Sequence, residues 1–250
     1  MPPKKMTPPS KIRVFAGSSE RGATANRRLP MTPTLSNRLL ACCDFVRPGD
    51  RVADVGCDHG YLGIHLLKTG TAVSVYESDI APGPLDSARR NAEKYGTLEK
   101  TQFFLSDGVK SVPQDFDTLV CAGMGGDTMV SILEAAPWLK NSHYRLVLQC
   151  QSKRPLLRTF LSDQGFIISR ETLAQDGKFI YPIMEVGYAP GKPLKEAETY
   201  ITPALLASRS PLLPDFLAHV LGGIRKAAQY DPHQAQLLEE LEKIQEQKDS

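Results

Sequence analysis

The stretch RVADVGCDHGYL, residues 51–62, decides how this chain folds. Its first half is mostly apolar from Val52 to Val55, as in a short buried strand, and two glycines follow before the next apolar residues. Glycine lets a backbone approach a ligand closely, and a helix that begins after such a turn presents unpaired N–H groups to an electron-rich partner. The stretch therefore predicts a strand, a turn and a helix that hold a nucleoside-containing cofactor.

The spacing of the two glycines separates the classes of cofactor. Dinucleotide-binding turns follow the pattern G-x-G-x-x-G. Here Gly56 is followed by Gly60, and Asp54 stands two positions before the first glycine. This D-x-G-x-x-x-G order resembles motif I of the Rossmann-like S-adenosylmethionine methyltransferases. An ordinary glycine-containing strand-to-helix turn is the alternative at this point.

The composition sets the size and the class of the protein. With 250 residues, 41% of them apolar and 23% charged, the chain has room for one sizeable globular domain and an appendage. No apolar run reaches the roughly 20 residues of a membrane span, so we expect no membrane partner. The five cysteines have neither the spacing of a metal site nor that of a disulfide framework. We therefore expect no metal, and a location in the reducing cytoplasm.

The positive charge is concentrated at the amino-terminal end. Residues 1–38 carry eight Lys or Arg and one Glu, a formal charge of +7, whereas the remainder carries 22 Lys or Arg and 27 Asp or Glu, a charge of −5. Residues 1–33 are expected to form a disordered basic extension. An RNA-contacting tail, a transit peptide and a natural start at Met31 are the alternatives, and we favour the start at Met31. Any other nucleic-acid surface must be a local patch.

Beyond this extension, apolar strands and amphipathic helices alternate, which predicts an α/β fold with a mostly parallel sheet. The Asp-Gly pair at 176–177 indicates a hairpin between the last two strands. Five parallel strands followed by an antiparallel hairpin are typical of the Rossmann-like class I methyltransferases, and we assign such a domain to residues 34–190. The seven predicted strands are 51–55, 72–78, 101–105, 116–121, 144–150, 165–172 and 179–188.

The last part of the chain, residues 191–250, has a different pattern. Prolines punctuate its first half, and apolar residues then recur at helical spacing on both sides of Asp231-Pro232. This pattern predicts a helical hairpin or a short coiled coil. A tRNA-binding appendage and a simple pair of packing helices are the alternatives for its role.

Acids end the second and third predicted strands. In folds of this kind the acid that ends strand two accepts hydrogen bonds from the ribose hydroxyls of the cofactor. Glu77 and Asp79 both qualify, and we prefer Asp79 because it lies closer to the turn that follows. Asp107 and Gly108 end strand three, where an acid binds the adenine amino group in this fold. An ordinary Asp-Gly turn is the alternative there.

The end of strand four is the expected catalytic edge, since ligands lie outside the carboxyl ends of parallel strands. The D/N-P-P-Y/F motif of many amino-methyltransferases is absent, and the sequence Ala122-Gly-Met-Gly-Gly stands in its place. The glycines leave space for a flat ring to approach the main chain, with Met124 as an apolar wall. We therefore expect Gly123, Met124 and Gly125 to form the site for a purine. A flexible loop before a helix is the alternative.

Several motifs in one order now indicate a family. VADVGCDHGYL, SDIAPGPLDSARRNAEKYG, AGMGG, LVLQ and DGK follow each other over residues 34–190. In this order they resemble the bacterial tRNA (adenine-22, N1)-methyltransferases. The chain departs from the family pattern at Gly63, where proline is common, at Cys150-Gln151 after the LVLQ strand, and at Tyr181-Pro182.

The resemblance implies S-adenosylmethionine as the cofactor and tRNA as the partner, with no obligate protein partner. The implied cofactor-binding residues are Asp54, Gly56, Cys57, Asp58, His59, Gly60, Tyr61, Leu62, Asp79, Gly83, Pro84, Asp107, Gly108, Ala122 and Gly123. The implied catalytic residues are Asp58, Gly123, Met124 and Gly125. The expected RNA-binding residues are Lys153, Arg154, Arg158, Lys192 and Lys195.

The implied reaction is attack of adenine N1 on the methyl group of the cofactor. Positioning supplies much of the rate, and a carboxylate stabilises the cationic base as it forms. Asp58 is the candidate for this role, with capping of a helix that begins near His59 as the alternative. Because N1 lies on the Watson–Crick edge, the adenine must be extruded, and Tyr61 and Met124 are candidates to contact its ring. A methyltransferase with another substrate and a non-catalytic, cofactor-sensing RNA-binding module are the alternative functions.

Overall fold

The computed structural model describes residues 32–249, so the expectations for residues 1–31 lie outside the described part of the chain. The described residues form one seven-stranded sheet flanked by helices. The strands are β1 (Asp50–Val55), β2 (Ala72–Asp79), β3 (Thr101–Leu105), β4 (Thr118–Gly125), β5 (Arg145–Ser152), β6 (Phe166–Asp176) and β7 (Phe179–Tyr188). The helices are α1 (Asn37–Cys43), α2 (Tyr61–Thr69), α3 (Pro82–Tyr95), α4 (Gly126–Glu134), α5 (Arg154–Asp163), α6 (Glu196–Tyr200), α7 (Pro203–Ala207), α8 (Leu213–Ala227) and α9 (Pro232–Asp249).

The strand order is β3-β2-β1-β4-β5-β7-β6. The first five strands of this order are parallel, whereas β7 pairs antiparallel with both β5 and β6. Gly177 makes the tight turn of the terminal hairpin with a φ of +60°. The predicted α/β fold, with a mostly parallel sheet and a terminal antiparallel hairpin, is therefore confirmed. The order reverses between β1 and β4, and ligands bind at such a switch point.

Successive side chains of each central strand point to opposite faces of the sheet, and both sets are apolar here. Helices therefore cover both faces. On one face Leu119 and Leu146 pack with helices α4 and α5. On the other face Val120 and Val147 pack with α1 and α2. Each such side chain contributes roughly 1.5–3 kcal/mol when it is fully buried. The two cores hold the central strands rigidly, and with them the carboxyl edge of the sheet.

A third core joins the carboxyl-terminal helices to the domain. Leu173 of β6 packs with apolar side chains of α6 to α9. The helices α8 and α9 form the predicted helical hairpin, and Arg225 donates to Glu242 across it at 2.6 Å. This appendage is continuous with the fold rather than an independent arm.

A buried ion pair lies under the appendage and corrects one expectation. Arg158 of α5 pairs with Glu171 of β6, and both side chains are almost fully buried. The Arg158 guanidinium also donates to the backbone carbonyls of Thr199 at 3.0 Å and Tyr200 at 2.8 Å. The expectation that Arg158 binds RNA is wrong, because its charge is neutralised inside the protein and faces no solvent.

Two other expectations of local structure are wrong. Strand β4 continues through Gly125 rather than ending near residue 121, because Met124 and Gly125 pair with Cys150 and Ser152 of β5. Helix α2 begins at Tyr61 instead of near His59. Within residues 32–249, no helix combines the length and the apolar character that a membrane span requires.

Candidate active site

A cleft with a volume of about 220 Å³ lies at the switch point, between the ends of β1 and β4. We call it the switch-point cleft. It brings together the turn after β1 and the end of β4, as the sequence predicts, and it adds two residues of α1. Its lining residues are Arg38, Leu39, Asp54, Gly56, Cys57, Asp58, His59, Tyr61, Leu62, Ala122 and Gly123.

The turn after β1 is held in place by backbone bonds and by left-handed residues. The N–H groups of Gly56 and Cys57 both donate to the carbonyl of Ser78 in β2, at 2.8 and 3.1 Å. Gly56 and Gly60 have φ angles of +72° and +67°, a region that glycine enters without steric cost. No side chain caps α2. The first N–H groups of α2 therefore begin beside the cleft with no side-chain acceptor at the cap position.

Asp58 does not cap α2, so that alternative is wrong. Its own φ of +51° and the cap position of Gly60 leave its carboxylate outside the helix. The side chain is 74% exposed, and Oδ1 lies 3.6 Å from Nε2 of His59. The His59 ring in turn lies 5.6 Å from the Tyr61 ring, measured between centroids. The structure thus places an accessible carboxylate and two rings on one rim of the cleft.

Two buried carboxyl groups lie beneath this turn. Asp54 and Glu77 are paired across β1 and β2, and both are buried. Burial raises the pKa of Asp54 to about 7. Burial and the neighbouring Asp54 carboxylate raise the pKa of Glu77 well above its ordinary value. Glu77 is packed against the backbone of Gly60 and Gly63, and neither of its carboxyl oxygens has a hydrogen-bond partner among the described residues.

Asp79 and Glu77 have different surroundings although they lie on the same face of β2. Glu77 is enclosed, whereas Asp79 ends the strand and is only partly buried. Oδ1 of Asp79 accepts a hydrogen bond from the N–H of Ala81 at 3.0 Å, which orients the carboxylate at the start of α3. Gly83 and Pro84 lie in the first turn of that helix. Asp79 is therefore the strand-two acid that can meet a ligand at the sheet edge.

The end of β4 contains a third left-handed glycine, Gly123, and it is held by two residues that the sequence analysis missed, Arg38 and Gln149. Gly123 has a φ of +85°. Its N–H donates to Oε1 of Gln149 at 3.0 Å, and Arg38 donates to the same oxygen at 3.0 Å. Arg38 also lies 3.6 Å from the carboxylate of Asp176. The sequence contained a signal for Gln149, because it is the polar residue that ends the otherwise apolar strand motif LVLQ.

The other members of the glycine run have structural roles. A Cβ on Gly125 would lie 3.0 Å from Oγ of Ser152, and one on Gly126 would lie 2.5 Å from the carbonyl of Lys153. These glycines let β4 and α4 approach the end of β5, and neither lines the switch-point cleft. Met124 packs against the Gly56 backbone, and its Sδ lies 3.4 Å from Sγ of Cys121. The expectation of a catalytic role for Gly125 is therefore not supported by its position.

The remaining predicted residues lie at separate places on the edge. Asp107 is exposed beside Lys110. Gly108 packs against Ile132, and its carbonyl accepts a hydrogen bond from Ser78. Among the predicted RNA-binding residues, Lys153 follows the end of β5 and pairs with Asp127 at 2.9 Å, and Arg154 begins α5; neither lines the switch-point cleft. Lys192 and Lys195 lie in the segment before α6. Within the described residues, no group of His, Cys, Asp and Glu has the arrangement of a metal site.

A family model described as a methyltransferase domain matches residues 35–184. The chain belongs to this family. The match covers the sheet from before β1 to the middle of β7, and thus every residue that lines the switch-point cleft.

Individual relatives refine the comparison. The tRNA (adenine(22)-N(1))-methyltransferase of Bacillus subtilis is 31% identical over 146 residues, 58% of this chain and 61% of the relative. The chain thus matches this relative over less than two thirds of the relative's length. A Streptococcus pneumoniae protein solved in complex with S-adenosyl-L-methionine is 30% identical with a TM-score of 0.74, over 85% of this chain and 99% of that one. The solved Bacillus subtilis m1A22 tRNA methyltransferase has a TM-score of 0.72 at 23% identity, over 86% and 97%, and shares the fold.

Proposed function

We propose that this protein transfers a methyl group from S-adenosylmethionine to N1 of an adenine in tRNA, at position 22. The observation that carries the proposal is the meeting of two left-handed glycine turns, at Gly56 and at Gly123, on opposite sides of one cleft at the switch point. One turn suits a cofactor and the other suits an acceptor base. The similarity to the Bacillus subtilis enzyme supports the substrate.

The residues around the cleft fit S-adenosylmethionine. Gly56 lines the cleft without a side chain, so a ligand can approach its backbone closely. The atoms nearest to a Cβ on Gly56 are those at the end of the flexible Met124 side chain. We call the backbone of this turn the cradle. Asp79 would hold the ribose hydroxyls, and the first N–H groups of α2 would face the electron-rich end of the ligand. When bound, the cofactor supplies an electrophilic methyl group.

The chain then has to position the base and exclude water. Adenine N1 has an in-plane lone pair and is unprotonated at neutral pH, so its attack requires no strong base. Holding the two reactants in line supplies a large part of the barrier reduction. The Gly123 N–H and Arg38 both donate to Oε1 of Gln149, and these two hydrogen bonds orient the acceptor side of the cleft.

Asp58 is the proposed catalytic residue. Methylation at N1 makes the base cationic, and a preoriented carboxylate stabilises that charge as it develops. Asp58 lines the cleft, is accessible and is not used as a helix cap. Tyr61 lines the same cleft and is the proposed ring contact for the extruded adenine.

The proposed partner is tRNA, and the proposed location is the cytoplasm. Lys153 and Arg154 follow the end of β5, the strand that pairs with the Gly123 end of β4. They are the proposed phosphate contacts, and such contacts supply most of the affinity for a nucleic acid.

The test is transfer of a labelled methyl group to unmodified tRNA transcripts, followed by digestion to nucleosides. We expect 1-methyladenosine with a transcript that carries adenine at position 22, and none with a matched transcript that carries guanine there. Methylation of a protein or a small molecule without any RNA product would contradict the proposal. Tight binding of cofactor and tRNA without a product would instead indicate a sensing module.

A further inference from the structure

A second and larger cavity lies beside the switch-point cleft. It has a volume of about 500 Å³, within the range of ligand-binding sites. It lies between the end of β5, the turn of the β6–β7 hairpin and the helix α8, and we call it the hairpin cavity. Its lining residues are Gln151, Arg154, Gln175, Lys178, Phe179, Ile180, Tyr181, Asp215, Phe216 and His219.

The hairpin cavity shares a wall with the acceptor side of the switch-point cleft. Gln151 lines the cavity, and its Nε2 lies 3.8 Å from the position of a Cβ on Gly123, which lines the cleft. The hairpin is also anchored to α1, because Asn37 donates to the carbonyl of Gln175 at 2.8 Å. The hairpin cavity is therefore adjacent to the Gly123 side of the cleft, where a polymer bound in the cleft can extend into it.

The lining of the hairpin cavity combines aromatic and basic side chains. Phe179 is 54% exposed, although burying a phenylalanine stabilises a protein by roughly 1.5–3 kcal/mol. The Tyr181 ring lies 6.1 Å from the Phe179 ring, and Nζ of Lys178 lies 5.3 Å from the latter. Arg154 adds a second permanent positive charge, and Asp215 is the acid in this lining. Exposed rings next to cations are the usual means of binding unpaired nucleotides.

We propose that the hairpin cavity binds an unpaired nucleotide of the RNA substrate next to the target adenine. Its base stacks on Phe179 or Tyr181, and its phosphate contacts Lys178 and Arg154. Extruding the adenine removes a stacking partner from its neighbour in the RNA, and the aromatic pair replaces that partner. This inference rests on the proposed function, since it names a part of the same substrate site.

The test compares a substitution at Phe179 that removes the aromatic face with one that keeps it. F179L keeps an apolar side chain without a ring, whereas F179W keeps a larger ring. Affinity for the unmodified tRNA transcript is measured by titration at fixed salt, and affinity for S-adenosylhomocysteine is measured by calorimetry. We expect F179L to weaken tRNA binding about ten-fold, F179W to bind as the unchanged protein does, and both to bind S-adenosylhomocysteine normally.

A charge variant tests the phosphate contact in the same assay. We expect K178A to weaken tRNA binding and to lower the slope of log affinity against log salt by about one, as loss of one phosphate contact requires. K100A, at an exposed lysine before β3, is the matched control and leaves the slope unchanged.

The outcomes separate this inference from the proposed function. If the unchanged protein forms 1-methyladenosine but F179L and F179W bind tRNA equally well, the hairpin cavity does not bind the RNA and only this inference fails. Loss of S-adenosylhomocysteine binding in F179L would also overturn it, since the effect would then be structural. If the unchanged protein neither binds nor methylates tRNA, both proposals fail.

Discussion

The switch-point cleft and the hairpin cavity lie side by side and are built from different parts of the chain. The cleft lies between two turns that left-handed glycines shape, with the first turn of α2 beside it and two buried carboxyl groups beneath it. The cavity is formed by side chains, mainly aromatic and basic, on a hairpin and a helix. A small ligand of fixed shape can be recognised by rigid backbone, whereas a large polyanion is recognised by charges and rings on a surface.

The largest expected effect concerns the ion pair that holds the appendage against the domain, and hence one wall of the cavity. R158A leaves the carboxylate of Glu171 buried without its partner, and we expect a loss of about 3–5 kcal/mol in the free energy of unfolding. R225A removes a pair that is exposed on both sides, and we expect less than about 1 kcal/mol. Urea denaturation measures both, and equal losses would contradict the assigned role of Arg158.

The next effect tests the chemistry at the rim of the cleft. D58A removes the carboxylate that stabilises the cationic base, and we expect kcat to fall about 100-fold. Calorimetry should find unchanged affinity for S-adenosylhomocysteine, because the proposed role is in the transition state. D86A, at an exposed acid of α3, is the control. Turnover at the unchanged rate in D58A would remove Asp58 from the mechanism.

A smaller effect separates the backbone cradle from the side-chain cavity. G56A puts a methyl group at a left-handed position that lines the cleft, against the end of the Met124 side chain. The strain and the displaced Met124 should shift the turn, and we expect S-adenosylhomocysteine to bind about ten-fold more weakly while tRNA affinity is kept. G49A has the same kind of strain, with a φ of +91° and no atoms within 4 Å of its Cβ. The control should therefore lose stability by about 1 kcal/mol without losing affinity. If G56A and G49A bound S-adenosylhomocysteine equally well, the Gly56 turn would not be part of the cofactor site.

The last effect concerns the buried acids, which lie beneath the cleft and not beneath the cavity. Because the pKa of Asp54 is about 7 in the folded protein and lower when unfolded, the folded state binds more protons between about pH 4 and pH 7. Stability contributed by this group must then fall as the pH rises through that window. The urea midpoint of D54N should fall less between pH 5 and pH 8 than that of the unchanged protein. A matching slope in both, with D107N as control, would refute the assignment.

The strand positions and the hairpin could be predicted because they depend on local patterns. The apolar run at β1 and the Asp-Gly turn at 176–177 each carry their signal within a few residues. The turn of motif I was predicted as a site for the same reason, since glycines at fixed spacing prescribe a backbone shape. The structure places its members around one cleft.

The errors have a common physical cause, which is that distant partners decide them. Glycine-rich Ala122–Gly126 suggested a loop, but pairing with β5 extends β4 through Gly125. In the sequence Arg158 looks like a surface residue of an amphipathic helix. In the structure it is buried, and its charge is paired with Glu171 and with the carbonyls of Thr199 and Tyr200 at the end of α6. The role of Arg38 likewise depends on Gln149, 111 positions away. Local patterns do not contain such pairings.

The central claim is that the switch-point cleft binds a sulfonium methyl donor. Calorimetric titration of the purified protein with S-adenosylmethionine, S-adenosylhomocysteine and NADH tests it most directly. We expect saturable one-site binding of the first two ligands and no heat from the third. Binding of NADH without binding of either sulfur ligand would contradict it.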